Sequence, residues 1–353
     1  MSSSDKKLAG LFLFWCAIFV LGIAGWLFHV FYADQARAWR ALLVNFNFWM
    51  PLACGMIVWP AIVTCANGVW AKSIERYAFS SIYFIPLLII AFIVLWLGHA
   101  YWTGWLAYQN LSQGFWLNSK FVFIRDLVAL VIIWILCFAF VLRSRKQVSR
   151  ILAGWLCFTY GVVFTLIAFD MVMALDPHWF STLFGAYFFV SGMYAAIAFW
   201  TVLSIISGDA SVETRHDLGK LIVAVSLLTA YMMFSQLLPI WYEDFSHEVR
   251  FVLPRLTITQ WRYISLILVV TIYLGPLVLL LTRWAKRSRI FLAAVAILML
   301  ISLWIERWWE VTPALGGKLT FGLSEAGITA AFLSSFIIGI ILFKKRDTIS
   351  KNN

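Results

Sequence analysis

"LIAFDMVMALDPHWFSTLFGAYFF", Leu166 to Phe189, places one acid, Asp170, inside an apolar run and then a polar knot, Asp176-Pro177-His178-Trp179, before a second apolar run begins. It reads as the outer end of one membrane-spanning helix, a tight connection and the start of the next. Pro177 fits such a connection, because a missing N–H costs nothing where a helix starts. The same alternation recurs along the whole chain. Of its 353 residues 63% are hydrophobic and only 12% charged, far less polar surface than a soluble domain needs. The fold class is therefore an all-α polytopic membrane protein. The opening "MSSSDKKLAG" runs straight into an apolar segment long enough to span, which acts as an uncleaved first helix.

Stretches of about 20 apolar residues predict ten transmembrane helices, near 8–31, 43–69, 79–103, 121–142, 151–175, 183–207, 217–240, 258–282, 290–309 and 325–343. They form a single integral membrane domain over 1–353, with no soluble domain, no low-complexity linker and no evident repeat; the longest connection, about 241–257, is polar and lies outside. Trp102 with Trp105, and Trp308 with Trp309, suit an interfacial belt or packing between helices. Of the 27 Lys and Arg, 18 fall on the side that holds both termini, which predicts cytoplasmic N- and C-termini. The formal charge of +11 reflects that topology; no basic run interleaves with aromatics, so nucleic acid is not a partner. Cys16, Cys54, Cys65, Cys137 and Cys157 lie in apolar segments without C-x-x-C spacing, which reads as structural thiols and gives no support to metal, iron–sulfur or c-type haem ligation.

Ionisable residues inside a membrane are costly and mark function by default. Here they gather at one level: His99 on the third helix, Arg125 and Asp126 on the fourth, Asp170 on the fifth, Ser235 and Gln236 on the seventh, Arg262 on the eighth, Glu306 and Arg307 on the ninth. At 1.5 Å per residue all lie within roughly 10 Å of the outer boundary. This predicts a polar chamber opening outward or sideways over a floor of hydroxyls and amides. Structural readings stand beside the functional one: interfacial charges that snorkel, a packed His99, an anchoring Arg262, an Asp176 that caps its connection. Asp170 is a turn deeper than a short acid prefers, so a partner or water must compensate it. Asp170 and His178 are the leading proton-handling pair. A carboxylate, an imidazole and a tryptophan suit a quinol head group, and they equally suit a proton exit path. Haem b would need two facing histidines at matched depth, and only His29 and His99 come near.

Three stretches resemble one family: "FDMVMALDPHWFSTLFGAYFF" (Phe169–Phe189), "RHDLGKLIVAVSLLTAYMMFSQLLPIWY" (Arg215–Tyr242) and "IERWWEVTPAL" (Ile305–Leu315), with "LGHAYWTGW" a weaker echo. They are similar to ActF, the ten-helix quinone-binding subunit 2 of alternative complex III, in the NrfD-like, polysulfide reductase membrane-subunit superfamily. "EDFSHEV" (Glu243–Val249) departs from the family's usual N-I-P-E-E-like form. The resemblance covers roughly residues 150–320. It implies two four-helix bundles, helices 2–5 (43–175) and 6–9 (183–309), with helices 1 and 10 peripheral. It further implies a place in a respiratory or photosynthetic quinol-oxidising complex of the bacterial inner membrane. The partners would be a paralogous NrfD-like subunit, a multihaem cytochrome c subunit, an iron–sulfur subunit, small membrane subunits and membrane lipids. Haem and iron–sulfur would sit in partners only, nothing would be bound covalently here, and quinone or menaquinone is a candidate ligand; the family's better-supported quinol pocket lies in the paralogue, and the subunit resembled here is considered more for proton movement or support. The matching positions are Asp170, Asp176, His178, Lys220, Ser235 and Gln236. Two competing readings are a solute or ion transporter, for which Pro51, Pro60, Pro86 and Pro276 supply helix breaks, and a scaffold subunit.

Overall fold

The computed structural model describes residues 3–107, 114–144, 149–245 and 248–352. Arg145 and Lys146, counted above among the inner basic residues, and Ser246 and His247 of the departing loop lie outside the described residues. The fold is all-helical, with no strand among the described residues. Among the described residues ten helices are long and apolar enough to cross a membrane: α1 (Leu8–Tyr32), α2 (Gln35–Cys65), α3 (Glu75–Leu97), α4 (Ser119–Ser144), α5 (Arg150–Leu175), α6 (Phe184–Ile206), α7 (Val212–Glu243), α8 (Thr259–Leu279), α9 (Arg289–Leu315) and α10 (Leu323–Lys345).

Caps written into the connections set several boundaries. Asp34 accepts from the Arg37 N–H at 3.0 Å and starts α2 at Gln35, well before the expected residue 43. Ser149, Ser211 and Ser288 do the same for α5, α7 and α9; a side-chain oxygen satisfies an amide that the first turn leaves without a carbonyl. The third span ends at Leu97 rather than 103, where Gly98 breaks the helix and the chain tightens into the turn His99–Tyr101. The longest connection is consequently 98–118, not 241–257. The latter includes the short helix Leu253–Thr257, which buries Arg255.

α2 and α6 are the most buried spans and cross one another at the centre. α2 also packs against α3, α4, α5, α9 and α10, while α6 packs against α5, α7 and α9. The crossing is close because it is lined by small residues. A Cβ on Gly192 of α6 would lie 2.5 Å from the Pro51 Cβ and 2.8 Å from the Tyr160 hydroxyl. That hydroxyl donates to the Pro51 carbonyl at 3.0 Å. α1 lies against α10 through a second such contact, where a Cβ built on Gly22 would collide with the Gly327 carbonyl. Trp102 and Trp105 are buried, as is Trp309, so they pack between elements instead of forming a belt.

α8 is irregular for a reason that its sequence contains. Pro276 has no N–H to give to Ile272, and the preceding Val269–Leu274 widens into a π-turn. The freed Ile272 carbonyl accepts from Ser226 of α7 at 2.9 Å and from Tyr194 of α6 at 3.3 Å. The break thus costs no unsatisfied carbonyl there, and it aims Tyr273 at the interior.

Candidate functional site

The polar layer divides into two sets, and no hydrogen bond or ion pair joins them among the described residues. The expected single chamber is therefore two smaller centres. The reason is packing: the apolar crossing of α2 and α6 occupies the middle of the molecule.

The first set lies between α4 and α5. Asp126 and Asp170 are buried and their carboxyls neighbour one another. Arg125 stands against both, with Nη2 2.5 Å from Asp170 Oδ2 and Nε 3.7 Å from Asp126 Oδ1. The Trp116 indole N–H donates to the other Asp170 oxygen at 3.0 Å. The guanidinium lies over the Trp116 ring at 3.8 Å and the Phe121 ring at 4.7 Å, a placement that keeps a cation favourable out of water. Both Asp170 oxygens are thus served, whereas both Asp126 oxygens are buried with no donor.

The second set lies among α6, α8 and α9. Glu306, Arg307 and Glu310 share the last turns of α9, all buried. Tyr187 donates to Glu306 Oε1, and Ser191 donates to Oε2 at 2.7 Å. Tyr273 meets the Tyr187 hydroxyl at 3.0 Å. Arg307 Nη1 donates to Glu310 Oε2 at 2.6 Å, and its Nη2 is 3.5 Å from Glu306 Oε2. Glu310 Oε1 has no donor. Glu306 and Tyr273 also face an apolar cavity of about 110 Å³, whose walls include Met233 and Leu237 of α7 and Val269 of α8. Val269 and Leu256 at its rim are exposed, so it opens sideways between α7 and α8.

Arg255 braces this second set from outside the spans. It donates Nε to the Trp309 carbonyl at 3.1 Å, Nη2 to the Glu310 carbonyl at 2.6 Å, and Nη1 to the Phe251 carbonyl. Its guanidinium lies 3.7 Å over Phe251, which in turn stacks on Trp179. Burial pushes the Arg255 guanidinium down to about 9, against the pull of the Glu310 and Asp176 carboxylates. It is still a cation at neutral pH.

The remaining predicted residues take other places. His178 is exposed in the α5–α6 connection, where its backbone N–H reaches Asp176 Oδ1 at 3.3 Å. The partners of Asp170 are thus a guanidinium, an indole and a second carboxyl, in the place expected for an imidazole. Asp176 ties its connection to the α7–α8 connection through Arg250 at 3.3 Å. Gln236 accepts from Ser181 at 3.2 Å and so pins α7 to the same corner, while its neighbour Ser235 joins neither set. His99 stacks flat on Trp96, with Nδ1 2.8 Å from the Trp96 carbonyl. Arg262 is exposed and lies over Tyr263. Among the described residues no three His, Cys, Asp or Glu side chains are grouped so as to hold a metal ion.

Trp116, Tyr187, Ser191, Tyr273, Arg255 and Glu310 were not among the predicted site residues. Some were readable: Tyr187 and Ser191 are four apart, as are Glu306 and Glu310, and each pair therefore shares a helix face. Trp116 and Arg255 sit in connections, where no period announces what a side chain touches.

These observations define a multi-pass, all-helical membrane protein with two buried acid–arginine centres. No family model and no curated protein matches the chain.

Proposed function

We propose that the chain is an integral membrane subunit, without a redox centre of its own, of a quinol-oxidising complex of the alternative complex III type, and that it moves protons and meets quinol near the periplasmic face. The observation that carries this reading is a shared stoichiometry: in each centre one arginine stands against two buried carboxyls. Asp126 and Asp170 share Arg125, and Glu306 and Glu310 share Arg307. Two carboxylates on one guanidinium leave an excess negative charge in a dry interior, and one proton removes it in the first centre; in the second, the buried Arg255 behind Glu310 offsets part of it. Asp126 in the first centre and Glu310 Oε1 in the second are the oxygens without donors, which makes them the places to hold that proton.

The quinol contact belongs to the second centre. A membrane-borne hydroquinone entering between α7 and α8 meets apolar walls and then Glu306 and Tyr273 at the inner end. Glu306 accepts a proton there and Tyr187 with Ser191 steadies the carboxylate. The partners expected from the resemblance would carry the electrons. Helices α2–α5 and α6–α9 form its two four-helix bundles, α1 and α10 flank them, both termini are cytoplasmic, and the bilayer is the bacterial inner membrane.

The transporter reading is weaker on one particular: the carbonyl freed by Pro276 is already taken by Ser226 and Tyr194, so the broken helix offers no free ligand for an ion. The test is turnover of the purified complex. Glu306→Gln keeps the side-chain shape and one acceptor oxygen, turns the other into a donor and removes the base; quinol oxidation falls on the order of a hundredfold. Asp170→Asn leaves assembly intact and lowers quinol oxidation or its linked proton release. Unchanged turnover and proton stoichiometry in both variants would sink the proposal.

A further inference from the structure

We propose that the chain holds one anionic phospholipid in a built site at the outer ends of α2, α9 and α10, away from both acid–arginine centres. Arg37 there is already committed, since Nε and Nη2 each donate to Glu325 at 2.7 Å. Arg40, half-buried, and Lys318, exposed, line the same recess and make no hydrogen bond or ion pair among the described residues. A Cβ on Gly317 would fall 3.0 Å from Arg40 Nη1, so the guanidinium is pressed against the α9–α10 connection and held near Lys318. The recess thus presents two cations without a counter-ion.

Trp304 and Trp308 line this recess and also line the outer end of an apolar cleft of about 750 Å³. Its α9 wall is Ile297, Leu300, Ile301, Trp304, Ile305 and Trp308, a single helix face that runs for roughly 16 Å. On α10 the facing residues include Ala326 and Ala330, whose small side chains leave the trough open. Cations at the membrane boundary above an apolar trough of that length match a phosphate headgroup with an acyl chain beneath it. The charge is what selects. Any lipid tail fills an apolar trough about equally well, because the bilayer is itself apolar. An anionic headgroup gains from both cations, whereas a zwitterionic one brings its own cation and gains less.

The full chain, purified and stripped of lipid in detergent, is titrated with phosphatidylglycerol or phosphatidylcholine, and occupancy is read by native mass spectrometry. One phosphatidylglycerol should be retained on the order of tenfold more tightly. The double variant Arg40→Gln/Lys318→Gln should lose that preference at an unchanged unfolding temperature. Ala330→Trp, which fills the trough and keeps the cations, should lower retention of both lipids. Equal binding of the two lipids by the unaltered chain, or an intact preference in the double variant, overturns the proposal. In native membranes a photoreactive benzoylphenylalanine in place of the wall residue Trp308, of similar size, should label phospholipid; labelling of a protein chain instead would overturn the lipid as occupant.

Discussion

At the scale of single residues, the two arginines and their acids cannot be judged one at a time. A buried ion pair contributes little net stability compared with an apolar pair of the same shape, yet removing one partner leaves an uncompensated charge. Arg307 is buried and serves both Glu306 and Glu310. Arg307→Met should therefore destabilise the protein by about 3–5 kcal/mol, seen as a lowered unfolding temperature in detergent. The informative comparison is the double variant Arg307→Met/Glu310→Gln. If the loss comes from the stranded carboxylate, the second change recovers part of it. A double variant that is less stable than either single one would mean the residues act by packing, through the Phe188 ring on which Arg307 lies.

At the scale of elements, close helix crossings carry the architecture, since apolar burial alone gives helices in a bilayer no preference for one another over lipid. Gly192 is the most demanding position at the α2–α6 crossing, because its missing Cβ is the space that Pro51 and the Tyr160 hydroxyl occupy. Gly192→Val should cost about 1–3 kcal/mol by forcing the helices apart, whereas Gly154→Val, with nothing within 4 Å of its Cβ, should change stability little. Equal unfolding temperatures for the two variants would contradict this account of the crossing. The same contrast explains what was legible. Ten spans could be read from apolar length, and their number matches because length and composition are local properties. The level of Asp170, Asp126 and Glu306 along their helices was readable by counting residues from helix ends. Which face each presents was not, because a helix apolar all round has no phase to read. Hence the sequence pairs Asp170 with His178, whereas its ion-pair partner is Arg125. The pairings within the second centre depend on Tyr273, whose direction is set by a proline three residues later.

At the scale of the whole molecule, the charge distribution and the two centres make separate demands. The cytoplasmic assignment of both termini rests on 18 of 27 basic residues and on an even number of spans. A reporter fused after Asn353 should therefore read cytoplasmic in intact cells; a periplasmic signal would put both centres and the phospholipid recess on the opposite leaflet. The proposed function needs more than topology, because neither acid–arginine centre can accept an electron. A chain that moves protons from quinol must therefore sit against proteins that take the electrons, and gentle purification from native membranes is the decisive measurement. Haem staining, iron analysis and quinone extraction of the purified material should reveal a multihaem cytochrome, an iron–sulfur protein and bound quinone together with this chain. With those present, the Asp170 and Glu306 variants become tests of proton release in an assembled enzyme. A colourless single protein that retains no quinone would remove the electron acceptors, and with them the reason for a proton to leave a quinol at Glu306.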